Sequence, residues 1–417
     1  MKEKLAILGG PPVVADPPPH FKWPPRIPEL SKVVARYIDA GKPLSIADRS
    51  GVYQQLEDRM CDLHNRRYAI LTSSGTMALY SAFFGIDLKP GDEVISTVYS
   101  FHATATPILH LGAKINFCDV EPDTGNIDTH KIEALITPRT RAVVTNHMWG
   151  HPVDVGSIRK ICLHNNLTWV EDCSHAHFAE YEGRYVGTSG DAVVFSLQGN
   201  KLLTGGEGGI LLTDSTNIYE RATLLGHSLK RSINCVKGMP WQDIRRTGFG
   251  LKLRMHPLSA VIVLYLLDNC CFDWIKSRGE TLKRFADGLS ATGKILPPVR
   301  RNYVTSMGAY YGFKPRIDFK TLGISREKLV DALTAEGLDV SIPGSAPFHR
   351  LPIFDHRRFP IGSFEKADNS FRHFPGADTY YASILSLPTF TFSEDWPLVD
   401  RYIEAFHKVL RNLEELK

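Results

Sequence analysis

The chain has no uninterrupted apolar run long enough to span a membrane, and Met1 to Val14 holds no apolar core of signal-peptide length. It has no block of one charge sign either. Its 49 basic and 45 acidic side chains are interspersed and leave a net charge of +4, without the basic stripe that marks nucleic-acid binding. The seven cysteines are an odd number, widely scattered and without paired zinc spacing, so they are expected to be reduced and mostly buried. Internal repeats and low-complexity tracts are missing as well. Together these absences exclude membrane, secreted disulfide-rich and nucleic-acid-binding classes, and the expected location is the cytoplasm.

What is present is an ordinary globular composition: 417 residues with 43% hydrophobic content, more than one core usually serves. Gly9 to Pro28 is dense in proline around Phe21, Lys22 and Trp23. This suits an extended arm lying on a neighbouring surface, of the kind that often reaches across a dimer. Seven short runs rich in Val, Ile, Leu and Thr then read as buried strands: Tyr68–Thr72, Glu93–Val98, Lys114–Val120, Ala142–His147, Leu167–Asp172, Ala192–Leu197 and Gly209–Thr213. Helical patterns lie between several of them, which predicts an α/β fold with a mainly parallel sheet and ligands beyond the strand carboxyl ends. A helical run from His256 to about Leu289 leads into a smaller α+β unit. There Tyr310–Phe319 and Leu338–Ile342 read as strands, and Ser325 caps a helix that Gly337 stops. Val399, Ile403, Phe406, Val409, Leu413 and Leu416 share one face of a closing amphipathic helix. The expected organisation is an arm and first helix over 1–45, a large domain over 46–275 and a small domain over 276–417.

Three segments carry chemistry. Ser73-Ser74-Gly75-Thr76-Met77-Ala78-Leu79 follows a strand and opens a helix, where free N–H groups and small hydroxyl side chains either cup a phosphate or simply cap the helix. Asp172, in Glu171-Asp172-Cys173-Ser174-His175-Ala176-His177, sits at a strand end. It can hold a pyridine nitrogen in its protonated form or serve as a helix cap. No recognised ligand spacing makes a metal site of His147, His151, His175 and His177, and none is expected. Lys201 follows Ser196 by five residues and enters the glycine-dense turn Gly205-Gly206-Glu207-Gly208-Gly209. Taken singly it is a solvated loop lysine; beside the other two segments it becomes an amine poised for covalent chemistry.

With these motifs the chain resembles the DegT/DnrJ/EryC1/StrS family of pyridoxal-phosphate aminotransferases over most of its length. The opening Leu5-Ala6-Ile7-Leu8-Gly9-Gly10-Pro11-Pro12-Val13 is similar to the branch that aminates scyllo-inosose-type ketocyclitols. The resemblance implies the fold-type-I, aspartate aminotransferase-like architecture and pyridoxal 5′-phosphate as cofactor. It implies L-glutamine or L-glutamate as donor, a keto sugar or ketocyclitol as acceptor, and a homodimer with its site at the subunit interface. By the same resemblance Lys201 is the Schiff-base lysine and proton shuttle, Asp172 the ring-nitrogen partner, and Ser74, Gly75, Thr76 and Ser196 the phosphate ligands. Phe101 falls where the family stacks an aromatic ring on the cofactor, and His175 where a histidine orients it. Two positions depart from the family. Gly250-Leu251-Lys252-Leu253-Arg254 lacks an asparagine that contacts the partner's phosphate, leaving Lys252 to supply a cation. Phe178 replaces a glycine, and either reshapes the pocket wall or fills a core gap. Two other readings stay open: an eliminating or dehydrating enzyme of the same fold, and a non-catalytic relative acting as a partner or regulator. Lys201 argues against the first, since the family's sugar dehydratases carry histidine there, and the intact set of Lys201, Asp172 and Ser196 argues against the second.

Overall fold

The computed structural model describes residues 3–15, 23–355 and 373–417. Its centre is a seven-stranded sheet of β1 (Tyr68–Thr72), β2 (Glu93–Thr97), β3 (Lys114–Cys118), β4 (Thr140–Asn146), β5 (Thr168–Asp172), β6 (Ala192–Ser196) and β7 (Gly209–Thr213). Their order is β1-β7-β6-β5-β4-β2-β3. Only β7 runs antiparallel to its neighbours, β1 and β6; the remaining pairs are parallel. All seven expected strands are therefore present, most of them a residue or two shorter than their apolar runs.

Each central strand is apolar on both faces because both faces are covered. Ile70, Val94, Val144, Val170 and Val194 point into one core. Their chain neighbours Leu71 and Val193 enter a second core, and Ile95, Val143 and Trp169 another. This alternation fixes the register, since a one-residue slip would exchange every side chain between the faces.

The helical run from His256 is two helices, Pro257–Asn269 and Cys271–Ser290, bent by 64° at Cys270. No single helix among the described residues is long and apolar enough to cross a membrane. The second helix passes from the sheet's core, through Cys271, to a separate core that holds Leu282, Phe285 and Leu289. That core also takes Val399, Phe406, Val409, Leu413 and Leu416 from the C-terminal segment, with Ile403 at its edge. Ser325 caps the helix Arg326–Ala335 by accepting the Lys328 amide, and Gly337 stops it at φ +90°.

Two expectations for this region are corrected. Tyr310–Phe319 forms only the two-residue strand Arg316–Ile317, with isolated bridges from Phe313 to Leu387 and from Arg316 to Ile384. Leu338–Ile342 contributes a single bridge, Ser341 to Ser386. In the first segment Tyr311 and Lys314 line a cavity, whereas Leu338 and Val340 of the second enter the C-terminal core.

Of the N-terminal arm, residues 3–15 and those from Trp23 on are described. Phe21 and Lys22 lie outside the described residues. At its described start, Leu5 and Val14 are buried in the C-terminal core. Glu336 accepts the amides of Ala6 and Val13 at 2.9 and 3.0 Å, and Lys408 donates to both Glu336 and Pro11. This buried ion pair welds the arm to its own chain, since removing either partner would strand an uncompensated charge. Further on, the Trp23 indole donates to the Lys201 carbonyl at 3.1 Å.

Candidate active site

The carboxyl ends of β1, β2, β4, β5 and β6 converge on one cavity of about 450 Å³, the crevice such sheets use for ligands. Ser74, Gly75, Thr76, Phe101, Asp172, His175, Ser196 and Lys201 all line it. Lys252 does not: it is exposed and bridges to His227, so any contact it makes to a cofactor is not one within this chain's own cavity. Nearby, Arg254 donates from Nη1 to the Ile46 carbonyl.

At the end of β1, Ser74 caps the helix Gly75–Gly85 by accepting the Met77 amide, leaving the first-turn amides of Gly75 and Thr76 without intrahelical acceptors. Gly75 is forced by contact rather than by dihedral angle, because a Cβ there would stand 2.7 Å from the Ser196 Cβ. The helix start and the Ser196 hydroxyl are thereby pressed together into an anion cradle.

Asp172 is 4% exposed. Thr104 donates to its Oδ2 at 2.8 Å and the Ser174 amide to its Oδ1 at 3.0 Å. A carboxylate offers about four acceptor sites, so two bonds orient it and leave capacity for a further N–H. Lys201 is 6% exposed. Burial lowers its amine to about 7, with the Asp172 charge pulling the other way, so near neutral pH a large share of the amine is the unprotonated nucleophile. Its Nζ stands 3.5 Å from the centroid of the Tyr311 ring.

Tyr311 stacks on His175 with centroids 4.2 Å apart, and His175 on Trp149 at 5.4 Å. Burial first, then the charges of Lys201, His177 and Lys314, hold His175 well below the usual histidine range. His175 is therefore held as the neutral ring in this aromatic stack. Phe101 is half exposed at the cavity wall. Phe178 does not touch the cavity: it is buried at φ +56° against His64, Tyr185 and Phe272. Of the two roles open to it, it fills the core gap, in a backbone conformation that glycine adopts at less cost.

The four histidines take separate partners. His147 bonds Glu171 at 3.1 Å, His151 lies against Asn126, His175 sits in the aromatic stack, and His177 packs on Phe195. Burial raises the pKa of Glu171, but bonds from His147, Gly187 and Gly190 outweigh it and hold the carboxyl at about 2. Glu171 thus ties the loop after β5 and leaves Asp172 as the acid in the cavity.

Sequence reasoning missed Thr104, Trp149, Tyr311 and Trp23. Each lies far along the chain from Lys201 and Asp172, and none sits in a motif.

A mainly parallel sheet with an amine of low basicity, a braced carboxylate and an anion cradle at its carboxyl edge defines an α/β enzyme whose site can hold an anionic ligand beside a nucleophilic amine. The chain belongs to the DegT/DnrJ/EryC1/StrS aminotransferase family, whose model matches residues 46–395. It is 33% identical over 359 residues, 85% of this chain and 83% of the other, to a Micromonospora echinospora protein provisionally named L-glutamine:3-amino-2,3-dideoxy-scyllo-inosose aminotransferase. It is 30% identical, over 100% of both chains, to the L-glutamine:scyllo-inosose aminotransferase of Streptomyces griseus. The aminotransferase of Psychrobacter cryohalolentis shares the fold, with a TM-score of 0.82 at 24% identity, covering 95% of this chain and 100% of that one.

Proposed function

We propose that this protein is a cytoplasmic, homodimeric pyridoxal 5′-phosphate-dependent aminotransferase that moves an amino group from L-glutamine or L-glutamate to a ketocyclitol or keto sugar. The observation that carries the reading is the joint presence of Lys201, Asp172 and the Gly75–Ser196 cradle in one cavity. The substrate class is supported by the names of the two relatives. A homodimer is supported by the exposed apolar side chains of Leu229, Ile233, Met239, Phe249 and Leu251, gathered in one stretch of chain.

The residues fit the cofactor. A glycine pressed against Ser196 admits a phosphate where a side chain would not, and the Gly75 and Thr76 amides, with Ser74 and Ser196, would hold it. When bound, pyridoxal phosphate supplies a carbonyl carbon and an electron-withdrawing ring. Asp172, braced by Thr104 and Ser174, would hold the ring nitrogen's proton. Lys201 would be the covalent tether and, as a free amine, the base for the proton of the donor α-carbon. Tyr311, His175 and Trp149 wall the cavity and exclude water, and Phe101 closes its exposed side. Lys252 is assigned to the partner subunit's cofactor phosphate.

The test is the absorption spectrum of the purified protein. With pyridoxal phosphate a visible band should form, and L-glutamine should convert it to the shorter-wavelength aminated cofactor. No band, or a band indifferent to both L-glutamine and L-glutamate, ends this reading. The cradle makes its own prediction: Gly75→Ala should weaken pyridoxal-phosphate affinity on the order of 100-fold by displacing Ser196, while the fold persists. Titration of the visible band measures it, and wild-type affinity would remove Gly75 and Ser196 from the phosphate site.

A further inference from the structure

A second cavity of about 450 Å³ adjoins the first, sharing Trp149, Asn200, Tyr311 and Ser345 with it. Its wall holds two buried cations, Lys314 at 8% exposure and Arg278 at 3%. Neither has a carboxylate partner among the described residues. Buried charges are ordinarily paired, because an uncompensated one costs stability. The acid in the same wall, Asp395, accepts the amides of Thr391 and Phe392.

The two cations differ in what they have left to give. Arg278 donates from Nε and Nη2 to the Thr391 hydroxyl and from Nη1 to the Ala309 carbonyl, and lies 4.8 Å from the Trp23 ring centroid. Most of its fork is committed. Lys314 donates once, to the Ser386 hydroxyl at 2.6 Å, and otherwise stands 4.7 Å from the Trp149 ring centroid. An ammonium has three donors, so two remain. Burial lowers the amine to about 8, which still leaves it mostly protonated near pH 7.

The placement is chemically specific. Lys201 rests on Tyr311 and Lys314 on Trp149, two rings of the same aromatic group. An amino acid whose amine replaces Lys201 carries its carboxylate one carbon away. A cation across the shared aromatic wall, in the adjoining cavity, is where that carboxylate would find a partner. A lone ammonium beside a hydroxyl matches one carboxylate better than a diphosphate, which would call on the committed guanidinium.

We propose that Lys314 and Ser386, with Arg278 in the same compartment, form the subsite that receives the α-carboxylate of the amino donor. This rests on the aminotransferase reading above and adds to it the residue that distinguishes an amino acid from a simple amine.

The experiment compares the wild type with Lys314→Met, following the visible band of the loaded enzyme against L-glutamine and against 4-aminobutanamide, the same donor without its carboxylate. Affinity for L-glutamine should fall about 100-fold in the variant, while affinity for 4-aminobutanamide stays within a factor of about three. Lys314→Arg, which keeps a cation, should recover at least about a tenth of the wild-type affinity. The cofactor-free variant should melt no lower than the wild type, since the substitution removes an unpaired buried charge. Unchanged affinity for L-glutamine, or a parallel loss for both donors, overturns the subsite and leaves the aminotransferase reading standing. A wild type unresponsive to L-glutamine and L-glutamate overturns that reading instead, and the subsite with it.

Discussion

Lys201→Met will abolish the conversion of the L-glutamine-reactive band, by on the order of 10⁴-fold or more, and will at the same time stabilise the cofactor-free protein at neutral pH. The first effect follows from the two tasks given to one amine, tether and base, both lost with the nitrogen. The second follows from burial. An amine held at about 7 in the fold and near 10.4 in the unfolded chain makes the unfolded chain bind the extra proton between those values. Stability from this group is therefore fully present above the unfolded value and is lost as pH falls towards about 7, a change of at most about 4 kcal/mol. Methionine has no such term. Urea unfolding of the cofactor-free proteins should find the variant ahead of the wild type at pH 7, with the gap closing by about pH 10. Parallel pH profiles would mean that the Lys201 amine is not desolvated in the fold. The other buried amine, Lys314, is common to both proteins and cancels in the difference.

The opposite signs of those two effects explain why part of this site was legible in the sequence. Lys201, Asp172 and the Ser74–Thr76 turn sit at the ends of apolar strands, where chain direction alone delivers a side chain to the sheet's carboxyl edge. Glycines beside them mark where backbone or ligand must pass closely, as Gly75 does against Ser196. What stayed hidden is the second wall. His175 is legible in its motif, but Trp149 and Tyr311 come from distant segments, and their stacking on it depends on how the segment after Met307 returns to the sheet. The apolar run Tyr310–Phe319 read as a strand because its composition is strand-like. In the fold, Gly312 is pressed against the Trp149 ring, where a Cβ would lie 2.4 Å away, and Lys314 faces a cavity. Ligand-lining segments keep the residues of a strand and forgo its ladder. The proline-rich arm shows the same limit: its composition predicts extension, but its partner is settled by Glu336 and Lys408, more than 300 residues away.

Asp172→Asn should be the next most damaging change at this site, slowing the L-glutamine half-reaction on the order of 1000-fold while the visible band still forms. The substitution keeps the shape: the amide oxygen can still accept the Ser174 amide, and the NH2 can donate to the Thr104 hydroxyl once that hydroxyl turns round, so the loop after β5 should hold. It removes the negative charge that keeps a ring nitrogen protonated, and with it the electron sink on which loss of the donor α-proton depends. Because Asp172 is buried, little solvent is present to take over that role. Thr104→Val is the graded control: it deletes one of the two bonds that aim the carboxylate and should cost about tenfold, the scale of a hydrogen bond to a charged group. Single-turnover rates at saturating cofactor separate these effects from cofactor affinity. A half-reaction in Asp172→Asn within about threefold of wild type would show that the carboxylate only caps its loop. Loss of the band altogether would make it a binding residue instead. The expected pattern, with the band kept and the proton transfer lost, is the one that distinguishes an electrostatic partner of the ring from either.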